Sequence, residues 1–186
     1  MFETSMADIS AQVEKIDPVE YARSRNFLNG AVTRLSPYIS RGVISPKYVL
    51  NQVLRRGYKS FQIQKFIQAL AWREYFQNVW RAKGDALDED LKQPQTDVEN
   101  SLMPKAVIDA ETGIEAVDDG IRQMYEAGYA HNHQRMYIAS TVCNIGKSHW
   151  RVPARWMYFR IRLPVKWKVK MKSGATAKMM RVNCQS

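Results

Sequence analysis

Apolar residues return at helical spacing along most of the first 160 positions, and strict alternation is rare there. Residues 61–82 give the clearest case: Ile63, Phe66, Ile67, Leu70, Trp72, Tyr75, Phe76, Val79 and Trp80 recur at the period of a helix. Upstream, Asp17-Pro18-Val19-Glu20 joins an N-cap acid, a proline at the first helical position and a glutamate three after the cap. That predicts a helix to about Asn26. Ser45-Pro46 repeats the device before an apolar face of Val49, Leu50, Val53 and Leu54, and Gly57 marks its stop. Next, "KGDALDEDLKQPQTDVEN" is polar and acidic, which predicts an irregular connection with one short helix. A helix is predicted from about Ile114 to Gly128 and another over 131–147, and Pro153 is expected to open a last amphipathic segment, "ARWMYF". The chain has no internal repeat, no GxGxxG, no Walker A and no HExxH. An all-α fold is predicted.

With 186 residues, 45% of them hydrophobic, the chain can bury one real core but hardly two. Its two cysteines, Cys143 and Cys184, form no zinc-type spacing and suggest a reducing compartment. No apolar run reaches the roughly 20 residues that cross a bilayer. The start "MFETSMADIS" has neither a basic n-region nor an apolar h-region, so no signal peptide, and a cytoplasmic location, is expected.

The net charge of +10 is unevenly placed. Residues 1–126 carry 16 Lys+Arg and all 18 acids, whereas 127–186 carry 12 Lys+Arg and no acid. Basicity therefore belongs to the last third, where a solvated or nucleic-acid-binding arm is the plain expectation.

Two polar stretches interrupt the helical pattern. "TRLSPYIS" (33–40) sets the Thr33 and Ser36 hydroxyls beside Arg34 where a new turn begins, a plausible cradle for a pyrophosphate. By itself it fits an ordinary capped turn as well. The second stretch is "GYAHNHQRM" (128–136). Taken in order, "TRLSPYISRGVISP", "LAWREYFQNVW", "TGIEAVDDGIRQMYEAGYAHNHQRM" and "SHWRVPARWMYF" resemble the FAD-binding helical domain of the DNA photolyase/cryptochrome family. The family's counterparts are a Thr-Ser-Arg-Leu-Ser-Pro-like loop, a Trp-Arg-Glu-Phe-like helix and a Gly-Trp-Met-His-Asn-Arg-x-Arg-Met-like helix start. The resemblance covers about residues 16–159 and implies a helical-bundle-like domain in which both polar stretches line one flavin and substrate pocket.

Carried over by position, the resemblance implies that Tyr21, Thr33, Leu35 and Ser36 hold the FAD phosphates. Arg34 matches the arginine of that loop, and Arg73 lies on the helix beside the cofactor. Asn132 and Arg135 match positions facing the isoalloxazine and the family's acidic loop. Trp72 matches the tryptophan on which a flipped pyrimidine dimer stacks, with Arg73, Asn132 and His133 near the DNA. Trp150 matches the middle member of the tryptophan chain that photoreduces the flavin. Trp72 and Trp150 could equally be packing residues on their pattern alone. The implied activity is that of a deoxyribodipyrimidine photo-lyase, an electron passing from excited reduced flavin to a dimer in UV-damaged DNA. The flavin carries this chemistry, and the protein supplies position and electrostatics. A monomer without a membrane partner is expected. His131 and His133 should point about 200° apart on a helix, so no metal site is expected.

Three departures qualify the resemblance. The family's N-terminal antenna domain has no counterpart, so no second chromophore is implied. Ala69 stands where photolyases usually carry a dimer-contacting glutamate, with Gln68 a partial substitute. From Arg160 the family's acidic loop, Ala-Asn segment and Trp-Gln-Trp are replaced by "RIRLPVKWKVKMKSGATAKMMRVNCQS". The division expected is a partial FAD-binding domain over 1–159 and a divergent basic tail over 160–186, read as a frameshifted or truncated continuation of a longer gene, with a genuine divergent tail as the alternative. In that tail Lys166, Lys168, Lys170 and Lys172 alternate with Trp167, Val169 and Met171, a pattern that suits an isolated strand and should pack poorly. The rival expectations are a cryptochrome-like photosensor, which Ala69 favours, and a basic nucleic-acid-binding helical protein without flavin.

Overall fold

The computed structural model describes residues 2–90 and 93–162. Among them every regular element is helical, apart from an isolated parallel bridge between Asn100 and Ser148. The chain forms two compact units, Met1–Thr96 and Asp97–Ser186, each with its own buried cluster, which corrects the expectation of a single core.

The first unit contains α1 (Met6–Glu14), α2 (Pro18–Ser24), α3 (Ser36–Ser40), α4 (Pro46–Leu54) and α5 (Gln64–Lys83), then a 3-10 turn over Gly84–Asp88. Local chemistry starts these helices. Asp17 Oδ1 accepts the Val19 and Glu20 amides at 2.9 and 2.8 Å, so α2 begins at Pro18 as predicted. Ser45 Oγ accepts the Tyr48 amide at 3.0 Å and starts α4. Helix α1 has no counterpart among the elements predicted above; Ser5 caps it at Ala7, and it buries Ile9 and Val13 one turn apart. One core holds the unit together: Ile9, Val13, Leu35, Tyr38, Val49, Val53, Ile63 and Phe66 are buried, with Tyr21 and Leu70 packed against them. Each fully buried Ile, Leu or Phe there contributes roughly 1.5–3 kcal/mol.

The second unit contains α6 (Lys105–Ile108), α7 (Glu115–Ala127), α8 (Asn132–Ser140) and α9 (Arg151–Arg162). Helix α7 stops where Gly128 takes the left-handed conformation, φ 64°, and donates to the Met124 carbonyl. Helix α8 continues into a wider π-helical turn over Thr141–Ile145, so the segment predicted as one helix over 131–147 changes pitch inside it. Helix α9 opens at Arg151, two residues before Pro153, and runs through the 159/160 boundary expected from the sequence. The remainder of the expected tail, including its alternating lysines, lies outside the described residues.

Helices α7 and α8 meet closely because Gly120 lacks a side chain: a Cβ there would lie 2.8 Å from Gln134 Cβ. Val107, Val117, Ile121, Ile138 and Val142 form the core beneath, covered by Tyr125, Trp156 and Met157. Asp118, only 5% exposed, ties the turn before α7, taking the Thr112 amide and hydroxyl at 2.9 and 2.7 Å and the Gly113 amide at 3.1 Å. Burial alone would raise its pKa. The bonds from Thr112 and Gly113, with the Arg122 charge, outweigh that and hold it below the ordinary 3.8.

Candidate functional site

In the first unit the 33–36 loop is anchored at one point and open at others. Leu35 is buried in the same core as Phe66, and the Thr33 carbonyl accepts Gln12 Nε2 at 2.9 Å. Arg34, exposed, is held at φ 52°, in the left-handed region that costs an ordinary residue energy. The Thr33 hydroxyl receives only a long bond from the Leu35 amide, 3.4 Å, and the Ser36 hydroxyl has no hydrogen bond among the described residues. No side chain caps α3. Two hydroxyl donors and uncapped amides thus gather within four residues, a donor set that fits phosphate oxygens. Tyr21 meets Phe66 edge to face at 5.3 Å, joining α2 to α5 beneath this loop.

Helix α5 carries the candidate platform. Trp72 stacks on Phe76 at 5.8 Å and 27°, and Tyr75 meets both rings edge-on at 5.5 and 5.4 Å. Trp72, Tyr75, Phe76 and Trp80 are between 54% and 63% exposed, and Phe66 is the one buried residue among those described on this helix. The periodic apolar face predicted over 61–82 is therefore core at its N-terminal end and surface beyond Leu70. Arg73 follows Trp72, half-buried.

In the second unit the candidates Asn132, His133 and Arg135 lie in the first turn of α8. His131 is the N-cap; its Nδ1 accepts the His133 amide at 3.1 Å, while Gln134 Oε1 accepts the His131 amide, also at 3.1 Å. Because His131 stands outside the helix, its ring lies 5.6 Å from that of His133. This corrects the expectation that the two diverge. No group of three metal-ligating side chains occurs among the described residues. Arg135 donates to Asn132 Oδ1 at 3.0 Å, yet its Nε is buried without a partner, and burial lowers its pKa from the ordinary arginine value. An unmade charged donor of this kind fits a ligand oxygen or a carboxylate. Trp150, half-buried, stands just ahead of α9 with its ring 5.7 Å from His149.

Taken separately, each unit offers groups whose chemistry fits part of FAD: in the first, hydroxyls and amides at 33–36 suited to phosphate oxygens, and in the second, the orphaned guanidinium of Arg135. Sequence reasoning did not single out Phe76, which backs Trp72, or Gln134, which fixes the start of α8. The aromatic pair one turn apart was the available signal for the first. The second was hidden because histidine is an uncommon cap.

A family model described as the FAD binding domain of DNA photolyase matches residues 66–172, more than half of the chain. This chain belongs to the photolyase/cryptochrome family. Its domain type has FAD as cofactor. The chain is 29% identical to a deoxyribodipyrimidine photo-lyase of Alkalihalophilus pseudofirmus over 140 residues, covering 73% of this chain and 29% of that protein. It is 28% identical to a cryptochrome DASH of Natronomonas pharaonis, covering 77% and 32%. Among solved structures, a class III photolyase from Agrobacterium tumefaciens superposes with a TM-score of 0.67 at 26% identity, covering 84% of this chain and 34% of that one. A Synechocystis cryptochrome gives 0.69 at 23% identity and shares the fold. The chain spans about a third of the length of these photolyase and cryptochrome relatives. The all-α prediction and the family resemblance are both borne out.

Proposed function

We propose that this chain is the flavin- and lesion-facing helical module of a photolyase-type protein. The exposed Trp72–Phe76 stack carries the reading. A core tryptophan would be covered, whereas this one offers a flat aromatic surface, the sequence-tolerant platform that an extruded base needs. Phe76 supports the ring from behind, so the platform is preformed. On this reading Tyr21, Thr33, Leu35 and Ser36 hold the FAD phosphates with Arg34 in the same loop, Arg73 lies beside the cofactor, Asn132 and Arg135 take the ring side, and Trp72, Arg73, Asn132 and His133 serve the DNA. FAD, when bound, supplies the electron that splits a pyrimidine dimer. Trp150 would pass electrons toward that flavin when it is bound. With no Asp or Glu in 127–186, Arg135 lacks a carboxylate from its own third of the chain, which makes FAD affinity low.

The test is binding of a UV-irradiated thymine oligonucleotide against its unirradiated twin, with FAD added. The wild type should prefer the irradiated strand and Trp72→Ala should lose the preference, base stacking being worth about 1–3 kcal/mol. Equal binding of both strands by the wild type would refute the platform. A second reading, a flavin photosensor, is favoured by Ala69 and by the similarity to a cryptochrome DASH. Illumination of the same complex separates them, because only the repair reading restores the thymines.

A further inference from the structure

The second unit holds a cleft that the flavin reading does not use. Ser101, His149, Arg151, Val152 and Arg155 line it, and its volume is about 330 Å³. Pairing of two chain segments builds it: Asn100 bridges Ser148, and the His149 amide donates to the Asn100 carbonyl at 3.0 Å, which sets Ser101 beside His149. Arg151 and Arg155 stand one turn apart on α9, so their guanidinium groups share a face. Among the described residues the lining has two cations and no carboxylate.

The backbone donors that a helix start offers an anion are already used here. The Arg151 amide donates to His149 Nδ1 at 3.3 Å, the Val152 amide to the His149 carbonyl at 3.0 Å, and Pro153 has none. Side chains must therefore do the holding. Arg151 Nε is buried and has no hydrogen-bond partner, an arrangement that costs stability unless a ligand completes it. The His149 ring stands at the cleft with its Nδ1 taken up by the Arg151 amide.

We infer that this cleft binds a phosphate dianion, free or as a small phosphomonoester. Two planar guanidinium forks match tetrahedral oxyanion geometry, and two positive charges suit a dianion better than a single carboxylate. The Ser101 hydroxyl adds a neutral donor. The volume exceeds that of phosphate alone and leaves room for the organic part of an ester. The site lies within one unit and stands whether or not FAD binds.

Calorimetric titration of the full chain with inorganic phosphate and with glycerol 3-phosphate, at ionic strength fixed with chloride, tests it. Saturable binding is expected, and the arm with the lower dissociation constant identifies the form bound. Arg151→Gln and Arg155→Gln should each weaken binding roughly tenfold, while Lys47→Gln on α4 leaves it unchanged. Should Arg151→Gln lose its helical circular dichroism, the exposed Arg155 and the wild type still decide. Absence of saturable heat from both phosphates, or wild-type affinity in Arg155→Gln, would overturn the assignment.

Discussion

Helices α5 and α7 carry apolar positions at the same period and put them to opposite uses. Helix α7 buries Val117, Ile121 and Met124 against α8 and its neighbours. Helix α5 is longer, yet beyond Leu70 it displays Trp72, Tyr75, Phe76 and Trp80 to the surface. The units differ too in the donors they leave unmet. The second keeps guanidinium donors of Arg135 and Arg151 buried and unmet, while the first leaves hydroxyls open at 33–36. A periodic face thus says that something apolar belongs there, not what covers it. Aromatic surface and unmet donors are what a ligand of flat rings and phosphates requires.

The largest expected effect contrasts the two helices directly. Ile121→Ala should cost about 2–5 kcal/mol in denaturant unfolding, the range for a fully buried aliphatic. Phe76→Ala should stay within about 1 kcal/mol, as an exposed position does. Equal costs would mean that α5 is covered after all.

Next comes Asp118→Ala, which strips the Thr112 and Gly113 donors of their acceptor and should cost about 2–3 kcal/mol at neutral pH. The folded-state pKa of Asp118 is depressed, so its contribution is present above 3.8 and is lost as pH falls through that value and then through the lower folded one. Acid unfolding of the variant should lack this component. An identical acid limb in both proteins would remove Asp118 from the account.

Gly120→Ala should cost about 1–3 kcal/mol by forcing α7 from α8, because the atom it meets is the Cβ of Gln134, which every residue but glycine carries. Smallest is Arg34→Gly, which relieves a left-handed residue and should raise stability by up to about 1 kcal/mol. Thermal unfolding reads both.

Much of this was legible beforehand. Asp17-Pro18 and Ser45-Pro46 placed α2 and α4 because cap and proline act within four residues. Gly128 ended α7 for the same local reason. Helix α1 escaped because its signal, Ser5 before a short amphipathic run, carries no proline or glycine. The π-helical turn after α8 has no local cue either. Exposure along α5 was unreadable in principle, since coverage is a tertiary fact. The candidate site residues came from motif order rather than periodicity, and no local pattern signals that Arg151 Nε is buried unmet, because that depends on the pairing of 99–102 with 147–149.

The measurement that bears most directly on the central claim is the flavin content of the purified chain. On the proposed reading the hydroxyls and amides at Thr33 and Ser36 would support some FAD affinity, while Arg135 has no carboxylate from residues 127–186 to brace it. A charge-assisted hydrogen bond contributes about 1.5–3 kcal/mol, so lacking about two or three of them weakens binding by several powers of ten. The account predicts a chain that purifies nearly colourless and binds added FAD weakly, with Ser36→Ala weakening it further. Purification with stoichiometric FAD would contradict it and show that the basic residues beyond Arg162 complete the flavin site.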